Sequence, residues 1–311
     1  MAIYRLFALL LSCGLFTLGS CSSGNANQTK EQQEVANPKI FVIEDGGTGQ
    51  YPAIITEESS LPGFTIYRPQ EIESFASEAK LPVILWGSGG CANTTDGHKN
   101  FLNDIASNGY IILGSGIFDH LINHDEEIAR QKTTSAQLLE ALDWIIKENS
   151  DPESKYYNKI DVSQVASMGM SCGGVQAIEI SGDPRISTTV VCNSGVLKVP
   201  TTMAGMPDVT KDALEDYHNP VLYLIGGPSD MAYENAVDDF ERIDNVPVVM
   251  TNLDVGHGGT YSQPHGGAFT PVALAWLNWQ LKGDESASEM FLGENCVLCE
   301  DELWTIESKN F

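Results

Sequence analysis

Ser171 lies in the stretch "VASMGMSCGGVQAIEIS", residues 165–181, where an apolar run reaches a glycine and an apolar helical pattern follows. Gly169-Met170-Ser171-Cys172-Gly173 fits G-x-S-x-G. So short a pattern arises readily by chance, and its place at a strand-to-helix junction gives it weight. A sharp turn there lifts the hydroxyl clear of the sheet, beside the positive end of the next helix. The small neighbours would also suit a tight turn with no chemistry at all. A serine hydroxyl is a weak nucleophile at neutral pH and needs a base to take its proton and a third group to orient that base. Of six histidines, His257 in "LDVGHGGTY" directly follows an apolar run and sits in a glycine-rich loop. His98, His120, His124, His218 and His265 have no comparable strand end to deliver them. Asp230 follows the apolar run "VLYLIGG" and precedes a helical pattern, so it is the expected acid. An aspartate there also suits a helix N-cap. Asp254, three residues before His257, is the alternative. The resulting chain order is Ser171, Asp230, His257.

The charge that develops on an attacked carbonyl needs two backbone N–H donors. Cys172 N–H, next after the serine, is the first expectation. The second should come from "GSGGCANTTDG", residues 87–97, which follows the buried run "LPVILWG". Ser88 or Gly89 is expected to supply it, with Gly90 as the alternative. Trp86, just before this loop, and Tyr261, just after His257, are expected to touch substrate. No metal or cofactor is expected.

Placing these residues together needs a particular scaffold. Apolar runs at 40–43, 64–69, 81–87, 110–116, 164–170, 187–193, 220–227 and 246–254 read as strands. Helical patterns cover 98–109, 127–150, 172–181, 231–243 and 267–283. Continuous apolar strands alternating with helices predict an α/β fold, a mostly parallel central sheet covered by helices on both faces. Residues 196–218 lack a strand and are expected to form a small cap. The 311 residues carry 42 acidic and 17 basic side chains, a net charge of −25. That field repels phosphates, so no nucleic-acid partner is expected.

The first residues, "MAIYRLFALLLSCGLFTLGSC", pair one basic residue with an apolar stretch and a small-residue ending, the pattern of a secretory leader. Leu18–Cys21 resembles a bacterial lipobox. This implies cleavage after residue 20, a lipid attached to Cys21 and a membrane-anchored, exported protein. Residues 22–38 are polar and aperiodic, a disordered tether, so 39–311 should be a single folded domain. Of seven cysteines, five then remain in the body. Cys296 and Cys299 are expected to form a local disulfide in the tail. A Cys172–Cys192 bridge is open, as is a pair of buried thiols; with the bridge, Cys91 is left over.

From about Phe64 to Gly283 the strand order, the GMSCGG turn, the late acid and "GHGGT" resemble the α/β-hydrolase superfamily. The closer resemblance is to secreted cutinase-like, chlorophyllase-like and dienelactone-hydrolase-like groups. It implies triad positions for Ser171, Asp230 and His257, and a serine carboxylester hydrolase acting on an ester substrate through an acyl-enzyme. Trp86 stands where many relatives have histidine, and a serine nucleophile in place of cysteine argues against dienelactone hydrolysis. A non-catalytic surface binding protein on the same fold and a serine peptidase are the alternative readings.

Overall fold

Runs such as Leu81–Gly87 and Ile111–Ser115 are buried along their whole length, which suits strands with a packed layer on each side. The computed structural model describes residues 39–75, 79–118, 131–198 and 205–311. The leader, the tether and Cys21 lie outside the described residues. In chain order the main elements are β1 (Ile40–Phe41), β2 (Ala53–Glu58), β3 (Leu61–Pro69), β4 (Leu81–Gly87), α1 (Lys99–Ser107), β5 (Ile111–Ser115), α2 (Ser135–Ser150), β6 (Ile160–Met170), α3 (Cys172–Glu179), β7 (Thr188–Cys192), β8 (Val221–Ile225), α4 (Tyr233–Arg242), β9 (Val248–Leu253), α5 (Phe269–Lys282), α6 (Val297–Glu300) and β10 (Trp304–Lys309).

The strands form one ten-stranded sheet in the order β1-β2-β3-β5-β4-β6-β7-β8-β9-β10. β5, β4, β6, β7, β8 and β9 are mutually parallel, and β1–β3 and β10 add antiparallel edges. Alternate side chains feed two faces. Ile84 and Trp86 pack with α1 and α5, through residues such as Phe101 and Trp276. Val83 and Leu85 pack with α2, through Leu138 and Leu142. Further along, Tyr223 and Ile225 meet α4. The protein is thus a mixed α/β fold, and its described residues fall in one compact unit.

The order matters for function. From β4 the chain moves to one side to form β5, then returns to place β6 on the other side of β4. Crevices open at the carboxyl ends of strands where the order reverses in this way. Ser88 follows β4 and Ser171 follows β6, so both stand at that crevice.

Three elements differ from expectation. β2 pairs with β3, and β10 pairs with β9 from Trp304↔Leu253 to Lys309↔Val248. β10 is an edge strand, and β2 lies one strand in from the opposite edge with Ala53, Ile54 and Ile55 buried. The helix expected over 127–150 begins at Ser135, and its residues 127–130 lie outside the described residues. Its start is set where the Gln137 side chain accepts the Thr134 N–H at 2.7 Å. In the cap span the described residues include a short 3-10 helix, Lys211–Asp216; residues 199–204 lie outside the described set. Among the described residues no helix is long and apolar enough to cross a membrane.

Candidate active site

Ser171 occupies the one-residue corner between β6 and α3, with φ 53° and ψ −117°. A non-glycine residue held there costs about 1–3 kcal/mol and needs its surroundings to fix it. Here the Ser171 N–H donates to Cys192 O at 3.0 Å, on the neighbouring strand β7. Its carbonyl accepts from Gly174 N–H at 2.9 Å, Val175 N–H at 3.1 Å and the Ser194 hydroxyl at 2.6 Å. The glycines are steric necessities. A Cβ on Gly169 would lie 2.1 Å from Gly173 O, and one on Gly173 would lie 2.0 Å from Gly87 O.

His257 brings Nε2 to 2.9 Å from Ser171 Oγ, and its Nδ1 lies 2.6 Å from Asp230 Oδ1. Two loops are fastened together to achieve this. Val255 and Gly256 N–H both donate to Gly226 O, at 3.1 and 2.9 Å, joining the turns after β8 and β9. A Cβ on Gly226 would meet Gly256 O at 2.0 Å, so that approach needs glycine. Asp254 does not face the imidazole. It accepts from the Ser229 N–H at 3.2 Å and hydroxyl at 2.5 Å, bracing the loop that carries Asp230.

The Asp230 side chain is fully buried. Burial alone would raise its carboxyl, but hydrogen bonds from His257, Ala232 N–H, Asn193 and Gly226 N–H outweigh it and hold the carboxyl below the usual carboxylate value. Asp230 is not the N-cap of α4, a position that Ala232 takes without a side-chain cap bond; its Oδ1 accepts from Ala232 N–H at 2.9 Å. Asn193 is the site residue that sequence reasoning missed. Its Nδ2 donates to Asp230 Oδ2 at 2.7 Å and to Gly256 O at 3.2 Å, and its Oδ1 accepts from the Tyr261 hydroxyl. The available signal was an asparagine directly after a buried strand, since asparagine tolerates positive φ and Asn193 sits at 42°.

The oxyanion candidates lie side by side. Cys172 opens α3, where a helix leaves its first N–H groups without intrahelical partners. Residues Gly89–Cys91 form a 3-10 turn whose own bonds run from Cys91 N–H to Ser88 O and from Ala92 N–H to Gly89 O. The Ser88 and Gly89 amides are therefore not consumed by that turn. Gly89 lies on Met170, where an added Cβ would approach Sδ to 2.6 Å.

Two expectations are corrected. Cys172 is bonded to Cys91, with Cα atoms 5.1 Å apart, and not to Cys192. Cys192 is a buried free thiol. Its backbone neighbours the elbow, but its side chain points into the core under α5, while Cys172 faces the loop after β4. Burial pushes the Cys192 thiol up to about 12. The tail bridge Cys296–Cys299 is present as expected. Trp86 and Tyr261 are 0% and 2% exposed, so they brace the site from behind and do not line the cleft. Trp86 Nε1–H donates to Ser88 Oγ at 3.2 Å, and the Tyr261 ring meets Phe101 and Phe269 edge-on. Of the rival histidines, His98 packs its ring against Trp86 and Tyr261, and burial lowers it to about 4. His265 is held near Glu44 and Asp104, and His218 lies outside the cluster. His120 and His124 lie outside the described residues.

A cavity of about 110 Å³ opens beside Ser171 and His257, with Val175, Leu197, Met206, Met231 and Ala232 in its wall. His257 is the only ionisable side chain lining it among the described residues. A second cavity of about 360 Å³ shares Val175, Leu197 and Met206 with it and continues towards Lys198, Asp208 and Lys211. No group of three or more His, Cys, Asp or Glu among the described residues is placed to hold a metal ion. Compared with known proteins, the chain matches no protein-family model and no curated protein.

Proposed function

We propose that this chain is a serine carboxylester hydrolase of the α/β-hydrolase type. The observation that carries the reading is the relay Ser171 Oγ–His257 Nε2 and His257 Nδ1–Asp230 Oδ1, at 2.9 and 2.6 Å, with the serine on a strained strand-to-helix corner. In this reading His257 accepts the Ser171 proton as Oγ attacks the ester carbonyl. Asp230, kept ionised by its four donors, orients the imidazole and stabilises its charged form. The carbonyl oxygen, now negative, is held by the Cys172 N–H and by the Ser88 or Gly89 N–H. His257 returns the proton to the departing alcohol. It then activates water to release the acid from Ser171.

The apolar wall beside Ser171 favours an ester with a small uncharged apolar group, because a charge placed there would lose its hydration without a partner. Met231, 78% exposed at the rim, leaves that wall open to bulk solvent and admits larger ester surfaces as well. The leader pattern and Cys21 add an exported, lipid-anchored location to the proposal. Hydrolysis of short p-nitrophenyl esters, with one fluorophosphonate bound per chain at Ser171, tests the activity. Equal labelling of wild type and Ser171→Ala would remove the assignment. A shift of the mature protein's mass by a diacylglyceryl group at Cys21 tests the anchor.

A further inference from the structure

The Cys91–Cys172 bridge joins the two segments that supply the candidate oxyanion donors. Cys172 carries the amide next to the nucleophile, and Cys91 closes the turn that begins after Ser88. Both cysteines are buried, at 0% and 2% exposure. The turn is conformationally expensive. Gly90 has φ 64° and Cys91, which is not glycine, has φ 46°. Such a turn persists only when its surroundings over-determine it.

A second, non-covalent clamp runs from the same helix to the same turn. Gln176, one turn along α3 from Cys172, donates through Nε2 to Thr133 O at 2.8 Å. Thr133 N–H in turn donates to Cys91 O at 3.0 Å. Lys132 Nζ adds a bond to Gly90 O at 2.8 Å. Beneath them the backbones of Gly87 and Gly173 touch closely enough to exclude any side chain on Gly173. α3 thus fixes the loop after β4 by a covalent bond, a hydrogen-bond chain and direct backbone contact.

We propose that the Cys91–Cys172 disulfide, seconded by Gln176, is a positioning device for the oxyanion hole: it sets the distance between the Cys172 amide and the Ser88/Gly89 amides. This rests on the hydrolase reading above. The reacting oxygen touches neither sulfur, so the bridge acts through the two amides it holds. An oxyanion hole works only if both donors already point at the developing charge. A displacement of about 1 Å in such a group can cost about 10²-fold in rate. A cross-link between its halves removes that freedom.

The test uses the Cys91→Ala/Cys172→Ala double variant, with Cys296→Ala/Cys299→Ala as the cross-link control. Each is assayed on p-nitrophenyl butyrate well below its unfolding temperature, with folding checked by circular dichroism. For the elbow pair, kcat is expected to fall about 10²-fold with KM within about twofold. Inhibition by a trifluoromethyl ketone, whose tetrahedral adduct places an oxyanion in the same hole, should weaken by a similar factor. Fluorophosphonate should still reach one per chain, more slowly. The tail pair should leave kcat and the ketone inhibition unchanged. An elbow variant that is folded, with unchanged kcat and unchanged ketone inhibition, overturns the proposal. Should that variant fail to fold, Gln176→Ala keeps the disulfide and removes the second clamp. It should lose about 10-fold in kcat and ketone affinity at constant KM, and no loss would overturn the proposal. Wild type that neither hydrolyses esters nor binds fluorophosphonate overturns the hydrolase reading, and this one with it. An active wild type with unaffected variants overturns this one alone.

Discussion

The Cys91–Cys172 and Cys296–Cys299 bridges span similar Cα separations, 5.1 and 4.9 Å, but they hold different kinds of structure. The elbow bridge links residues 81 apart in sequence, from the turn after β4 to the first residue of α3. The tail bridge links residues 3 apart, from the N-cap of α6 to a residue in its single turn. Chain-entropy arguments give the long loop about 4.5 kcal/mol and the short one about 2 kcal/mol. The elbow bridge sits among strained residues, Ser171 and Cys91, both at positive φ. Around the tail bridge the helix forms ordinary local bonds, with Cys299 N–H returning to Cys296 O at 2.9 Å. A cross-link in regular structure adds local order. A cross-link from the start of a helix to a turn at positive φ ties together two segments far apart in sequence.

That contrast can be tested in order of size. Ser171→Ala should reduce ester hydrolysis about 10⁶-fold, measured as kcat, because the proposed mechanism takes its nucleophile from Ser171. It leaves both bridges intact, and its melting temperature should stay within about 1 °C of wild type. Activity surviving in that variant would move the chemistry away from the elbow. Asp230→Asn should lower kcat about 10⁴-fold, since a neutral amide neither orients the imidazole tautomer nor stabilises its charge. Loss of the elbow bridge should cost about 10²-fold in kcat, as set out above. Loss of the tail bridge should lower the melting temperature by about 4 °C in a calorimetric scan and leave kcat alone. An equal kcat loss from both pairs would erase the distinction between them.

The smallest expected effect concerns acid. The folded-state Asp230 carboxyl lies below its ordinary value, so its contribution to stability is complete above about pH 4 and is lost as pH falls through the folded-state value. The melting-temperature gap between wild type and Asp230→Asn should therefore hold above about pH 4 and shrink as pH falls below it. A gap that stays constant would mean the carboxylate's hydrogen bonds do not favour its charged form.

Much of this site is legible along the chain because β6, β8 and β9 each end in a turn that announces itself locally. Gly169 and Gly173 flank the serine, Gly226 and Gly227 precede Asp230, and Gly256 and Gly258 flank His257. Gly169, Gly173, Gly226, Gly227 and Gly256 each sit where the backbone has positive φ or passes another segment too closely for a side chain, and Gly258 meets neither condition. Asn193 has no such flag. Its importance comes from reaching Asp230 from the neighbouring strand, and that adjacency exists only once β7 lies between β6 and β8. Trp86 and Tyr261 mislead for a related reason. Proximity in sequence to Ser88 and His257 placed them near the site, but strand alternation turned Trp86 inward, and the loop after His257 folded Tyr261 back onto α1 and α5.

The disulfides divide the same way. Cys296 and Cys299 are close in sequence, so their pairing follows from local chain geometry and was readable from the C-x-x-C spacing. For Cys172 the sequence offers a bridge to Cys192, which leaves Cys91 over, or a buried free thiol, and the structure forms neither. Cys192 is adjacent through the β6–β7 ladder, with Met170 paired to Cys192. A strand residue, however, sends its side chain to one face of the sheet. That face is the core under α5, whereas Cys172 stands above the strand ends on α3. The sequence by itself determined the α/β alternation, the Ser–Asp–His order and the tail bridge, since each depends on residue type and short-range spacing. Which cysteine meets Cys172, which side chain buttresses Asp230 and which aromatics leave the cleft were decided by the tertiary structure, because each depends on strand order and on which face of the sheet a side chain takes.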